Sequence, residues 1–353
     1  MSGTSLDGID VAALATDGER RVVAGPALTV PYPGAFRERL RGVLGGAPRA
    51  DIAAVEDELT RLHGAAVAQF RARHPDTAFD LVGFHGHTIL HRPLERRTWQ
   101  IGDGALLARL AGVDVVADFR SSDVAAGGEG APLAPIYHAA LAADLVKPIA
   151  VLNLGGVGNV TWIGRGINGG TDEILAFDTG PGNAPIDDWV RRHTGAAADI
   201  DGALARAGHI SVAHVAGFLR HPYFARRPPK SLDRDEFRGA IPDDLPLADG
   251  AATLTEMTAA AVAQAARHFP AGPREWLVCG GGRRNPALMA ALARRLGVPV
   301  RPVEAAGWDG DALEAQAFAY LAVRSALELP LSLPTTTGAP NPVCGGRLFP
   351  VSA

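Results

Sequence analysis

The sequence predicts an α/β fold in two domains, and three observations carry that reading. Its 353 residues exceed one ordinary domain. Short apolar runs of strand length alternate with longer stretches of helical periodicity. The 42 glycines and 26 prolines cluster between apolar strands rather than in a low-complexity tail. Hydrophobic residues make up 47% and charged residues 20% of the chain, enough apolar material for substantial cores.

The elements follow in order. Met1 to Ile9 reads as a turn, and Asp10 to Ala15 as a short strand. Helical stretches are expected near Phe36 to Leu44 and from Asp51 to Arg73, the second with Ile52, Val55, Leu59, Leu62 and Ala66 at helical spacing. Leu81 to Phe84 and Val113 to Phe119 read as buried strands. Pro132 and Pro135 mark a boundary, giving domains expected over 1–133 and 134–330 with a loop-like tail over 331–353. A helix is expected from Ile136 to Leu145. Pro148 to Asn153 is a strand that enters the turn Leu154 to Asn159 and returns as Val160 to Ile163. Both halves thus open on a glycine turn and a strand, weak evidence of an internal duplication. Strand Trp276 to Cys279 ends in three glycines, after which Asn285 caps a helix with Pro286 at its first position. A last helix is expected from Asp311, with Glu314 completing a capping box.

Composition excludes several functions. A net charge of -4 gives no broad attraction for nucleic acid. Two cysteines, Cys279 and Cys344, make no disulfide framework and are expected to be reduced. No apolar run approaches the ~18 residues of a membrane span, and no secretory leader is apparent, so a cytoplasmic protein is expected.

Several segments offer site chemistry. Gly3-Thr4-Ser5-Leu6-Asp7-Gly8 combines close backbone approach with hydroxyl donors, as phosphates require, but no Gly-Lys-Ser/Thr follows to make a P-loop. An ordinary hairpin turn fits the same residues. Gly155 to Asn159 leaves the same two readings open, as does Gly280-Gly281-Gly282 between strand and helix. Asp178 stands at the end of an apolar strand before the rigid turn Thr179-Gly180-Pro181-Gly182-Asn183, where a catalytic carboxylate is well held or an aspartate bonds its own turn. His85, His87 and His91 invite a metal reading, with polar contacts as the alternative. Arg120 lies among acids after a strand, Glu314 reads locally as a cap, and Lys230 has no strong reading alone.

Single motifs are weak, but their order is specific. The sequence reads MSGTSLDGID at 1–10, HGHTILHRP at 85–93, DFRSSDVAAGGEGAPLAP at 118–135, NLGGVGNVTW at 153–162, FDTGPGN at 177–183, CGGGRRNPAL at 279–288 and DGDALEAQAFAYLA at 309–322. Across nearly its whole length it resembles the anhydro-N-acetylmuramic acid kinases of peptidoglycan recycling. The resemblance implies two ribonuclease-H-like domains of the actin and sugar-kinase type with an interdomain cleft. It implies ATP and Mg²⁺, a homodimer, and a reaction in which water opens the 1,6-anhydro bridge while the γ-phosphate passes to O6. By motif position it makes Asp178 the catalytic base and Gly3, Thr4, Ser5, Leu6, Asp7, Gly8, Ile9 and Asp10 the phosphate loop. Gly155, Gly156 and Gly280 to Gly282 become further nucleotide contacts, and Arg120, Asn183 and Glu314 sugar contacts. Three features depart from the family pattern: the strand usually ahead of MSGTSLDG, glutamine where His87 and Glu129 stand, and KSTGRE where the chain reads Lys230-Ser231-Leu232-Asp233-Arg234-Asp235. Alternatives are a kinase of the same fold for another amino sugar, and a noncatalytic nucleotide-binding regulator.

Overall fold

The computed structural model describes all residues except 4–5, 47–51, 167–171, 233–235, 238, 240–241 and 352–353. Its contacts divide the chain into one unit of Met1–Asp144 with Ala312–Ala353, and a second of Leu145–Asp311. This differs from the contiguous division expected, and one helix explains why.

The first unit begins with the antiparallel hairpin β1 (Gly8–Thr16) and β2 (Val22–Pro31). Helices α1 (Gly34–Gly42) and α2 (Ile52–Arg73) follow, then β3 (Leu81–Gly83) and the hairpin β4 (His87–Arg92) with β5 (Arg97–Ile101). Helix α3 (Gly104–Ala111), β6 (Asp114–Ala117), α4 (Ser121–Ala125) and α5 (Pro135–Leu141) complete its N-terminal part. The helix expected to reach Leu145 therefore stops at Leu141.

The second unit contains β7 (Ile149–Leu154), β8 (Val157–Gly164), β9 (Glu173–Pro181), α6 (Ala184–Thr194), α7 (Ala203–Ala207), α8 (Val212–Phe218) and α9 (Leu247–Ala265). It ends with β10 (Trp276–Cys279), α10 (Pro286–Leu296) and β11 (Val300–Pro302). The chain then re-enters the first unit as α11 (Leu313–Ala326), α12 (Pro334–Thr337) and β12 (Arg347–Phe349). Helix α11 packs on β1, β3, β6 and α5. Its buried Ala315, Phe318, Leu321 and Ala322 join Val116, Phe119 and Leu133 in one core. The apolar face of that helix thus belongs to the first unit, and the expected tail is ordered too, with β12 antiparallel to β6.

The second unit carries one five-stranded sheet in the order β11-β10-β7-β8-β9. Strands β11, β10 and β7 are parallel, while β7, β8 and β9 are antiparallel neighbours. This is the strand order of a ribonuclease-H-like domain. Its core includes Leu152, Val160, Phe177, Trp276, Val278 and Leu288. Helix α9 is buried on nearly every side, which its alanines and threonines permit because small side chains let neighbouring elements approach closely.

The first unit contains the antiparallel pair β1–β2 and the parallel pair β3–β6. Strands β1 and β3 are not hydrogen-bonded to each other. A cavity of about 670 Å³ separates them, lined by Ile9, Val11, Phe70, Leu81, Phe84 and Ala319 among others. Among the described residues no helix is long and apolar enough to cross a membrane.

Candidate active site

Backbone bonds tie Met1 to Asp10 and Gly3 to Leu6. The Met1 ammonium donates to the Asp10 carbonyl at 2.8 Å, and the Asp10 N–H returns a bond to the Met1 carbonyl at 2.9 Å. Leu6 N–H donates to the Gly3 carbonyl, and Leu6 has φ of +60°. That left-handed conformation is uncommon for a leucine and marks a constrained turn. Asp7 is exposed at its tip, whereas Gly8 and Ile9 are buried at the start of β1. Thr29 on β2 donates its hydroxyl to Asp10 Oδ1 at 2.7 Å, which fixes that carboxylate on the strand. Thr4 and Ser5 lie outside the described residues.

Beneath the turn, Tyr32 Oη donates to Ser2 Oγ at 2.7 Å, and Ser2 Oγ meets His87 Nδ1 at 2.9 Å. His87 is fully buried, and its Nε2 has no hydrogen-bond partner among the described residues. Burial pushes its pKa down to about 4, so the ring is neutral at pH 7.

The three histidines do not converge on a metal. His85 Nε2 accepts from Arg120 Nε at 3.0 Å, His87 meets Ser2, and His91 meets Thr98. Among the described residues no group of three or more His, Cys, Asp or Glu is placed to hold a metal ion. Since arginine only donates, His85 is neutral and carries its proton on Nδ1, which donates to the Gly86 carbonyl. Burial, then the Arg120 charge, holds its pKa well below the usual histidine value.

Arg120 is held further by its Nη1 bond to the Gly130 carbonyl at 2.7 Å. Buried Asp123 ties down that loop, accepting from Gly130 N–H, Thr337 Oγ1 and Ser332 Oγ. Glu314 is not the cap expected. Helix α11 begins at Leu313, its N-cap is Ala312, and no side chain caps it. Instead Glu314 is an electrostatic neighbour of Arg120, Asp10 and the Met1 ammonium. Desolvation raises its pKa against the opposing pull of Arg120. The first unit therefore gathers the glycine turn, Asp10, Arg120 and Glu314.

In the second unit Asp178 lies near the end of β9, and three bonds fix it. Its N–H donates to the Lys230 carbonyl at 2.9 Å, its carbonyl accepts from Tyr223 Oη at 2.6 Å, and its Oδ2 accepts from Leu232 N–H at 2.8 Å. The carboxylate is aimed by a segment about fifty residues away in sequence. Lys230, Tyr223 and Leu232 were not legible as partners of Asp178 from local pattern.

Asn183 precedes α6 but does not cap it with its side chain. Its Nδ2 donates to Asp187 Oδ2 at 2.8 Å, and its Oδ1 is buried with no partner among the described residues. Thr179 Oγ1, next to Asp178, is likewise buried and without a partner. Backbone bonds from Gly182 and Asn183 to the carbonyls of Gly156 and Gly155 clamp the β7–β8 turn to the end of β9. A Cβ on Gly155 or Gly156 would meet no atom closer than 3.7 Å, so both faces are open to close approach.

The three glycines after β10 differ from one another. Gly280 has φ of +75°, and a Cβ there would lie 2.4 Å from Asn153 Oδ1 and 2.7 Å from the Leu154 carbonyl oxygen. A Cβ on Gly282 would lie 2.7 Å from Leu154 Cβ. On Gly281 it would meet nothing within 4 Å. Two glycines therefore serve the turn, and one leaves backbone accessible. Arg283, with its side chain 6% exposed, braces this turn through Glu304, Asp311 and the Gly280 carbonyl. Asn285 accepts from the N–H groups of Ala287 and Leu288, the cap expected for α10.

The family model described as anhydro-N-acetylmuramic acid kinase matches residues 1–351. The anhydro-N-acetylmuramic acid kinase of Rhodospirillum rubrum is 58% identical over 355 residues, covering 100% of this chain and 93% of that one. That of Paramagnetospirillum magneticum is 58% identical over 352 residues, covering 98% and 97%. A solved ROK family glucokinase from Streptomyces griseus aligns with 89% of this chain and 96% of its own, at 15% identity and a TM-score of 0.40.

Proposed function

Because this chain belongs to the anhydro-N-acetylmuramic acid kinase family, we propose that Asp178 is the base of an ATP-dependent kinase acting on 1,6-anhydro-N-acetylmuramic acid in peptidoglycan recycling. The carrying observation is the three-point hold on Asp178, with one carboxylate oxygen fixed by Leu232 N–H. A general base needs such a fixed direction before its pKa matters.

In the proposed reaction Asp178 takes a proton from water. The water oxygen bonds to C1 of the sugar, and the C1–O6 bond breaks. The O6 electron pair then bonds to the γ-phosphorus as ADP leaves, giving N-acetylmuramic acid 6-phosphate. The catalytic work beyond the base is positioning and charge stabilisation. Arg120, braced by His85 and Gly130, and Glu314 orient the sugar in this reading. Asn183, whose Oδ1 is a buried acceptor without a partner among the described residues, accepts from a sugar hydroxyl. The open backbone at Gly155, Gly156 and Gly281 meets the nucleotide, together with the Gly3 to Asp10 turn; Gly280 and Gly282 shape the loop that presents Gly281.

The carboxylates of Asp7 and Asp10 are hard oxygen donors beside a phosphate-type turn, a set that suits Mg²⁺ carried mainly by phosphates and water. Bound there with ATP, Mg²⁺ supplies neutralisation of phosphate charge. As the family resemblance implies, the proposal includes a homodimer in the cytoplasm.

The test supplies purified protein with ATP, Mg²⁺ and 1,6-anhydro-N-acetylmuramic acid, and follows ADP release and product mass. Wild type should yield the ring-opened 6-phosphate. Asp178→Asn should lower kcat by about 10²–10⁴ without unfolding. Sugar-independent ATP hydrolysis as the sole activity would refute the reading.

A further inference from the structure

Lys230 is a buried charged group that this mechanism leaves unused. Only 3% of the residue is exposed. Its Nζ donates to the Tyr223 carbonyl at 3.2 Å. The same nitrogen lies 4.4 Å from the centre of the Tyr223 ring and 5.8 Å from that of Phe177. A buried ammonium is costly, and ring faces with one carbonyl compensate for only part of the lost hydration. Retaining a lysine here requires a further return.

The surrounding bonds suggest what it is. Tyr223, whose ring and carbonyl hold Lys230, donates its hydroxyl to the Asp178 carbonyl. The carbonyl of Lys230 receives the Asp178 N–H, and Leu232, two residues on, donates to the Asp178 carboxylate. Three bonds thus reach Asp178 from residues 223–232, and the Lys230 side chain ties the two ends of that segment together.

We propose that Lys230 is a positioning residue: its buried ammonium locks the 223–232 segment onto Asp178 and supplies the positive charge that keeps the carboxylate ionised and aimed. This rests on Asp178 being the base. The charged groups around Lys230 are consistent with it. Asp178 on β9 attracts the ammonium, Arg226 in the same segment repels it, and His268 beyond α9 senses both Lys230 and Arg227. Desolvation, then Arg226, brings the ammonium pKa down to about 8, with Asp178 opposing. The charge is therefore present at pH 7 and is lost as pH rises through about 8.

The experiment measures kcat and KM against pH for wild type, Lys230→Met, Lys230→Arg, Tyr223→Phe and Asp178→Asn, using full-length protein and checking each fold by circular dichroism and melting. Lys230→Met should move the acidic limb of kcat upward by about one pH unit, the shift expected when a nearby opposite charge is removed from a carboxylate. KM for ATP should stay within about twofold of wild type, because ground-state nucleotide binding is untouched. Lys230→Arg should restore the acidic limb and abolish any alkaline decline near pH 8, since arginine does not titrate there. Tyr223→Phe should lower kcat without moving the limb, because it removes a bond and no charge. A folded Lys230→Met protein with an unmoved limb would overturn the proposal. If Lys230→Met does not fold, a wild-type alkaline decline that persists in Lys230→Arg overturns it, and one that disappears supports it. If Asp178→Asn keeps the wild-type rate, the base assignment fails as well. If it is inactive while Lys230→Met behaves as wild type, only the role of Lys230 fails.

Discussion

Replacing the three glycines after β10 one at a time by alanine should separate packing from nucleotide approach. Gly280→Ala forces a left-handed backbone on an L-residue at φ of +75° and drives Cβ to 2.4 Å from Asn153 Oδ1 and 2.7 Å from the Leu154 carbonyl oxygen. Backbone strain of this kind costs about 1–3 kcal/mol, and overpacking against fixed neighbours costs about 1–3 kcal/mol more. Gly282→Ala meets Leu154 Cβ at 2.7 Å and Leu288 Cδ2 at 3.2 Å, so only the overpacking cost applies. Gly281→Ala meets nothing within 4 Å and should cost almost nothing. For a domain of this size each kcal/mol lowers the melting temperature by about 2–4 °C. Gly280→Ala should therefore melt roughly 4–24 °C below wild type, Gly282→Ala less far, and Gly281→Ala with wild type. The order reverses for ligand binding. If backbone at Gly281 lies against the nucleotide, a methyl group there should raise KM for ATP by about tenfold or more while the protein stays folded. The assays are differential scanning calorimetry and ADP release across ATP concentration. Unchanged KM in Gly281→Ala would leave the segment as a plain strand-to-helix turn and refute its nucleotide role. A wild-type melting temperature for Gly280→Ala would refute the packing account.

Three further outcomes follow from the same geometry. Asp123→Ala removes a buried carboxylate that accepts from Gly130 N–H, Thr337 Oγ1 and Ser332 Oγ; it should destabilise the first unit by about 3 kcal/mol, read by calorimetry, and loosen Arg120 through Gly130, read as a higher KM for the sugar. Arg283→Met should raise KM for ATP and cost about 1–2 kcal/mol, the lower range because Glu304 and Asp311 are about half exposed. Burial pushes His63 to about 3 and His87 and His138 to about 4, all in the first unit. Such groups bind protons when unfolded but not when folded, so their stability contribution is present above about 6.5 and is lost as pH falls toward 4. At pH 5 each should weaken the first unit by about 2 kcal/mol, and His87→Gln should remove one proton's worth of that slope in melts from pH 7 to 5.

Local pattern is enough where a short segment sets its own structure. Asn285 and Pro286 start α10 as their chemistry dictates, because cap bonds span only two or three residues. Strand Trp276 to Cys279 matches its apolar run, since all four residues are buried. Local pattern fails where a remote partner decides. Asp311 and Glu314 carry the spacing of a capping box, yet Ala312 is the N-cap. Glu314 finds its electrostatic partners in Arg120, Asp10 and the Met1 ammonium, nearly two hundred residues or more away in the chain. The tail after Leu329 looks loop-like because its prolines, threonines and glycines have no strong propensity for regular structure. It becomes ordered because β6 offers an edge to β12.

The site divides along the same line. Asp178 was legible because a rigid glycine-proline turn after an apolar strand is a sequence-local feature. What aims it was not, because Tyr223, Lys230 and Leu232 reach it across 45 to 54 residues. The histidines illustrate the converse error. His85 and His87 alternate along an extended segment and so suggest a shared ligand, but Gly86 between them has φ of +69°. That turn sends His85 to Arg120 and His87 to Ser2. Their function is therefore indirect. His85 stays neutral so that it can accept from Arg120, and His87 stays neutral beneath the glycine turn. A protonated His85 would present a second cation to Arg120 and lose its acceptor. Acid that protonates His85 should therefore weaken sugar binding through Arg120, and KM for the sugar should rise in wild type where that ring takes up its proton, well below the usual histidine range. Replacing His85 by glutamine, which keeps an acceptor that does not titrate in this range, should flatten that rise. If the rise is identical in both proteins, Arg120 is held by Gly130 alone.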